Sequence, residues 1–239
     1  MGLIEKLNAI GDAIREKNGT TDLIPLSDMP QAIRNIIGVG VRIEYIESTG
    51  SQYIDTGIIP TNHRVKMKFE KTTSENGSVL GSYGDATPDN TNVYEFVWYN
   101  GKWYFAPKSG KYQGWQGSFY PNTNYYPTEV IELDFNTYDK KILMNGFYVA
   151  DTYGSSTAVM PMYLFTQSGN VMPCPMKLWY AQIYDRATEE LVRDFVPAVD
   201  ENGVVCLYDN ITKAYFYNQG DGEFTGGCNI VLGGGKNDR

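Results

Sequence analysis

Val93-Tyr94-Glu95-Phe96-Val97-Trp98-Tyr99-Asn100-Gly101-Lys102-Trp103-Tyr104-Phe105-Ala106-Pro107-Lys108 is the stretch that decides the fold class. Two aromatic runs flank Asn100-Gly101, the strongest two-residue hairpin signal, because the favoured turn needs positive φ at both central positions. With the turn placed there, Tyr99 faces Lys102 and Trp98 faces Trp103. Side chains alternate across a strand, so parity sorts the two faces. Tyr94, Phe96, Trp98, Trp103 and Phe105 share an almost wholly apolar side and are expected in the core. Glu95, Val97, Tyr99, Lys102 and Tyr104 share the other side, where rings mix with charges, and are expected to meet solvent or a ligand.

Similar punctuation continues on both sides of this hairpin. Val65-Lys66-Met67-Lys68-Phe69-Glu70 alternates apolar and charged residues as a half-buried strand does. Ile131, Leu133 and Phe135 alternate with Glu132, Asp134 and Asn136, a turn falls in Thr137-Tyr138-Asp139-Lys140, and Lys141 to Gly146 returns. Asn145-Gly146 turns the chain again toward Phe147-Tyr148-Val149. Further short runs lie at Met162–Phe165, Met176–Tyr184, Val204–Tyr208 and Ala214–Tyr217. Many short strands with few helical stretches predict a mainly β protein, an antiparallel sandwich.

Composition agrees. In 239 residues, 19 Tyr, 10 Phe and 4 Trp stand beside 25 Gly, the balance of a β fold with many turns. Lys+Arg 20 against Asp+Glu 28 leaves a net charge of −8, which opposes a nucleic-acid backbone. The only histidine, His63, reads as a surface residue at a strand edge, so histidine-based catalysis or metal binding would have to run through it. Cys174, Cys206 and Cys228 are odd in number and form no CxxC pair, so neither a disulfide framework nor a zinc site is implied. Gly84-Asp85-Ala86-Thr87-Pro88-Asp89-Asn90 could offer oxygens to a cation but lacks a recognised spacing. No metal and no cofactor are expected. The opening residues carry acids and no continuous apolar stretch, so no signal peptide is read there. Nothing approaches the ~18 apolar residues of a membrane span.

Residues 1–40 differ from the rest. Leu3, Leu7, Ile10 and Ile14 recur at helical spacing, and Asn18-Gly19 stops that helix. Ser27 is placed to cap a second helix striped by Met29, Ile33, Ile36 and Ile37. Two helices of roughly 15 and 10 residues cannot hold a core alone. They are expected to form an attachment or oligomerisation segment, followed by the sandwich over 41–228 and a Gly-rich tail over 229–239.

Three stretches carry a resemblance: Ile43-Glu44-Tyr45-Ile46-Glu47-Ser48-Thr49-Gly50-Ser51-Gln52-Tyr53-Ile54-Asp55-Thr56-Gly57, Lys177 to Asp185 with Leu191 to Ala198, and Gly203 to Asp209 with Tyr215-Phe216-Tyr217-Asn218 and Gly222-Glu223-Phe224. Their order resembles the concanavalin A-like (laminin G-like) jelly-roll modules of bacterial surface proteins and phage tails. Leu7 to Thr21, with Met29 to Ile36, is similar to a helical module of tail and baseplate proteins of phages infecting Gram-positive hosts. Together they imply a virion tail component, made in the bacterial host cytoplasm. Residues 1–40 would dock on other tail or baseplate proteins, the assembly would be a homotrimer, and the head would be lectin-like.

The same jelly roll houses laminarinase-type glucanases, whose catalytic strand carries acids at i, i+2 and i+4. Glu132-Leu133-Asp134-Phe135-Asn136 supplies two and fails at the third, where an amide cannot serve as the proton donor. Binding without covalent chemistry is therefore expected. Sugars stack flat C–H faces on rings and offer hydroxyls to carboxylates and amides. Glu95, Tyr99, Lys102 and Tyr104, joined by Tyr112, Trp115 and Gln116 from a Gly-rich loop, form the expected ligand-binding set. The expected target is a host surface polysaccharide or teichoic acid. A particle protein that binds no glycan is the alternative, and a wall glycosidase is a third reading.

Overall fold

His63–Lys71 shows how the chain builds its core. Val65, Met67, Phe69 and Lys71 turn inward, whereas Arg64, Lys66, Lys68 and Glu70 turn outward, in strict alternation. The computed structural model describes residues 8, 11–13, 15–16, 41–61, 63–87, 90–108, 117–120, 125–136, 139–151, 158–169, 171–185 and 187–227. The expected second helix and the tail over 229–239 lie outside these. The described residues between 8 and 16 are helical, with an Arg15–Asp12 ion pair one turn apart.

In chain order the strands are β1 (Val41–Arg42), β2 (Ile46–Ser48), β3 (Ile54–Asp55), β4 (His63–Lys71), β5 (Gly77–Thr87), β6 (Asn90–Tyr99), β7 (Lys102–Lys108), β8 (Gly117–Phe119), β9 (Ile131–Asn136), β10 (Lys141–Met144), β11 (Phe147–Asp151), β12 (Tyr163–Leu164), β13 (Met176–Asp185), β14 (Leu191–Val199), β15 (Val205–Asp209), β16 (Ala214–Phe216) and β17 (Thr225–Gly226). One sheet runs β11-β10-β9-β4-β13-β14-β15-β16, with β1 against β14 and β2 against both β13 and β17. The other runs β3-β12-β5-β6-β7-β8. All pairings are antiparallel. β4 sits between β9 and β13, both distant in sequence, a crossover compatible with a jelly roll.

The sheets stack face to face. Phe69 of one meets Trp103 of the other with ring centroids 6.0 Å apart, and Phe135 lies 5.1 Å from Tyr94 and 6.0 Å from Phe96. Tyr94, Phe96, Trp98, Trp103 and Phe105 are all buried, on the side that parity assigns them. Large rings need partners for their polar ends when buried. Trp98 donates to Ser74 O (2.9 Å), Trp103 to Tyr125 O (3.0 Å) and Tyr94 to His63 O (2.7 Å). The turn between β6 and β7 adopts φ of 48° at Asn100 and 77° at Gly101, as the hairpin reading requires.

His63 departs from expectation. It is buried at the start of β4 rather than on the surface, opposite Asp185. Burial lowers its pKa, against the pull of the Asp185 carboxylate. Inward parity from Val65 extends back to it, and a strand-edge position does not by itself expose a side chain.

Candidate functional site

The mixed face of the β6–β7 hairpin divides. Glu95 shares that face but is only 1% exposed, and Val97 is fully buried. Gln167 lies over Glu95 and donates from Nε2 to its Oε2 at 3.1 Å. Close approach of this segment requires Gly81, the residue paired with Glu95, since a Cβ there would sit 2.6 Å from Gln167 Cα. Parity thus places Glu95 on the correct face, but a segment far along the chain removes it from solvent. Glu95 is corrected to a covered residue.

Tyr99, Lys102 and Tyr104 remain half-exposed around the turn. Tyr99 and Tyr104 meet edge to face at 6.1 Å. The Lys102 ammonium lies 4.3 Å from the centre of the Tyr120 ring, which is 69% exposed. Its hydrogen bond with Tyr120 raises the Lys102 pKa. Tyr120 joins this patch although the sequence reading passed over it; its position just past β8, the strand paired to β7, was the available signal. Tyr112, Trp115 and Gln116 lie outside the described residues.

A second polar surface forms on the outer face of the larger sheet. Register aligns Lys68 with Tyr180 on one side and Glu132 on the other, and Lys66 with Gln182 and Asp134. A bulge between Leu178 and Tyr180 shifts the parity of β13, so that Trp179 and Tyr180 are both half-exposed. Rings and cations then interleave. Tyr45 and Trp179 lie 5.5 Å apart, Lys177 sits 5.3 Å from Tyr45, and Lys68 sits 5.8 Å from Trp179. Arg64 and Lys66 each lie 5.8 Å from the Tyr184 ring.

A depression of about 210 Å³ opens in this face between Lys66, Glu132, Asp134, Leu143, Gly146 and Tyr180. Asp134 is gripped by Arg64 in a two-point ion pair, Nε–Oδ1 2.8 Å and Nη2–Oδ2 2.6 Å, which raises the arginine pKa. Glu132 stands 3.9 Å from Lys68 and keeps an exposed carboxylate. Burial, then the nearby Glu132 and Asp134 charges, raise the Tyr180 pKa, so its hydroxyl stays protonated at neutral pH. Asn136, the third position of the acid pattern, is buried. Its amide donates to Asp139 Oδ2 (2.9 Å) and its oxygen accepts from Asp139 N (3.0 Å). The turn after β9 uses this side chain for itself.

The arrangement supplies what saccharide binding uses: ring faces for stacking, carboxylate acceptors for hydroxyls, and cations fixed beside both. Comparison with protein-family models finds no match, and comparison with curated proteins finds none either.

Proposed function

We propose that this chain is a phage tail receptor-binding or tail-fibre protein that holds a host cell-surface glycan without covalent chemistry. The observation that carries the reading is the interleaved track of Tyr45, Trp179, Tyr180 and Tyr184 with lysines and carboxylates on an open sheet face. Rings held by a rigid sheet bind sugar faces at little conformational cost. The engagement of Asp134 by Arg64 and of Asn136 by the turn supports binding over hydrolysis, because neither side chain is free to shuttle a proton. The resemblance of residues 1–40 to tail modules supports docking of that segment on tail or baseplate proteins. A trimeric assembly would multiply weak single sites by avidity.

Adsorption of the purified chain to isolated Gram-positive cell walls tests the reading. Wild-type protein is expected to bind and to compete with phage adsorption, and Trp179→Ala is expected to weaken binding about tenfold, the loss of one stacking ring. Failure to bind any wall or to compete sinks it. One observation favours the structural reading instead: β11 ends the larger sheet with Phe147 59% and Tyr148 56% exposed, an edge suited to a neighbouring subunit. Phe147→Lys would then abolish assembly while leaving wall binding at zero throughout.

A further inference from the structure

We propose that Lys71 and Cys174 are a modification site: in oxygenated solution their side chains join through one oxygen atom, Nζ–O–Sγ, and staple the end of β4 to the segment that leads into β13. The inference is independent of the glycan-binding reading.

Placement carries it. Lys71 Nζ lies 3.4 Å from Cys174 Sγ, within the ~3–3.5 Å at which positioned groups react. Both side chains are fully buried. Backbone bonds hold each of them: Lys71 pairs with Met176 across the sheet, Thr72 N donates to Pro175 O at 3.0 Å, and Cys174 N donates to Phe165 O at 2.8 Å. Gly77 leaves room for the pair, since a Cβ there would come 3.1 Å from Lys71 Nζ and 2.7 Å from Pro173 O.

No other group competes for either atom. Among the described residues Lys71 makes no ion pair, and the thiol is its side-chain partner. Cys206 belongs to a separate cluster with Ala198 and Tyr208, so no described thiol is placed to draw Cys174 into a disulfide. Burial pushes the Cys174 thiol up, against the pull of Lys71, and a buried thiol is ordinarily inert. Two things differ here: a nitrogen already touches the sulfur, and dioxygen is small and apolar enough to enter a core whose side chains hop between rotamers.

The reaction balances with dioxygen as the oxidant. Lys71, reacting as the free amine, and the Cys174 thiol each lose one hydrogen and two electrons. One atom of dioxygen becomes the bridge, and the other leaves with both hydrogens as water. Nζ–H, Sγ–H and the O–O bond break; Nζ–O and O–Sγ form. Dithiothreitol reverses the change, supplying electrons and hydrogens as it closes to its cyclic disulfide and releasing the bridge as water. The two residues stand 103 apart in sequence, and a cross-link closing so long a loop is expected to raise the melting temperature by about 10 °C.

Intact-mass spectrometry of the full chain, purified in dithiothreitol and then held in air-saturated buffer, tests this. Air is expected to add about 14 Da, one oxygen gained and two hydrogens lost, and digestion is expected to yield a linked peptide pair containing Lys71 and Cys174. Dithiothreitol added to the denatured product is expected to restore the original mass, and anaerobic protein to keep it. Lys71→Met and Cys174→Ala are expected to show neither the mass gain nor the rise in melting temperature, and Cys206→Ala to show both. An unchanged mass after aeration overturns the inference. So does oxygen found on the Cys174 peptide alone, or a loss of about 2 Da, which marks a disulfide or a direct S–N bond. The wild-type mass and peptide map decide the matter even where a variant fails to fold.

Discussion

Lys71 lies in the core because of arithmetic. It follows Val65, Met67 and Phe69 at intervals of two on β4, so the strand's parity carries a lysine inward. It is fully buried, and its ammonium's side-chain partner is the Cys174 thiol at 3.4 Å. A thiol compensates poorly for the lost hydration of an amine. Lys71→Met is therefore expected to leave stability unchanged or to raise it by about 1–3 kcal/mol, read from the urea midpoint, as replacing buried ionic groups with apolar ones often does. A loss of more than about 1 kcal/mol would mean that the amine–thiol contact contributes net stability. Cys206 gives the residue scale its pH dependence. Burial pushes its thiol up to about 12, from an ordinary value of 9.0. The folded state thus keeps a proton that the unfolded state releases. Stability is whole below pH 9.0 and is lost as pH rises toward about 12. Denaturant midpoints measured across that range are expected to fall, and to fall less steeply in Cys206→Ala.

Elements were legible where their pattern is local. The β6–β7 hairpin announces itself through Asn100-Gly101 and through rings two residues apart; the inward set is buried as parity assigns, whereas of the outward set Tyr99, Lys102 and Tyr104 stay half-exposed and Glu95 and Val97 are covered. Gly101→Val forces a β-branched residue into φ 77° and is expected to cost about 1–2 kcal/mol in a thermal melt. β5 was not legible: Gly77, Gly81 and Gly84 interrupt any alternation, and their smallness answers to Pro173, Gln167 and Met160, residues far along the chain. Glu95 was misjudged for the same reason, since the segment that covers it belongs to a different part of the sequence. The third position of the acid pattern on β9, Asn136, serves the turn that follows. Asn136→Glu is expected to destabilise by about 1 kcal/mol through loss of the bonds with Asp139, without reducing-sugar release from wall material. Sugar release by that variant would revive the hydrolase reading.

The two stacked sheets could be inferred for the molecule as a whole, because burying one apolar face per strand leaves few other solutions. The outer-face depression could not. It gathers Lys66, Glu132, Gly146 and Tyr180 from four stretches whose adjacency depends on strand order, and Tyr180 turns outward only because a bulge reverses its parity. Strand order also settles where the sandwich opens and closes. β17 pairs with β2, and Gly227 N donates to Tyr45 O at 2.9 Å, so the last described strand of the sandwich lies beside its second and close to where the sandwich begins. The sandwich from residue 41 to residue 227 therefore comes close to a ring. Splicing residue 227 to residue 41 through a short Gly-Ser bridge and cutting between Asn100 and Gly101 should yield a permuted molecule that still melts in one cooperative step. A sandwich so nearly circular also has a single corner: the chain enters it at Val41 and leaves it at Gly227 from neighbouring points, so whatever is joined at either place crowds the same spot.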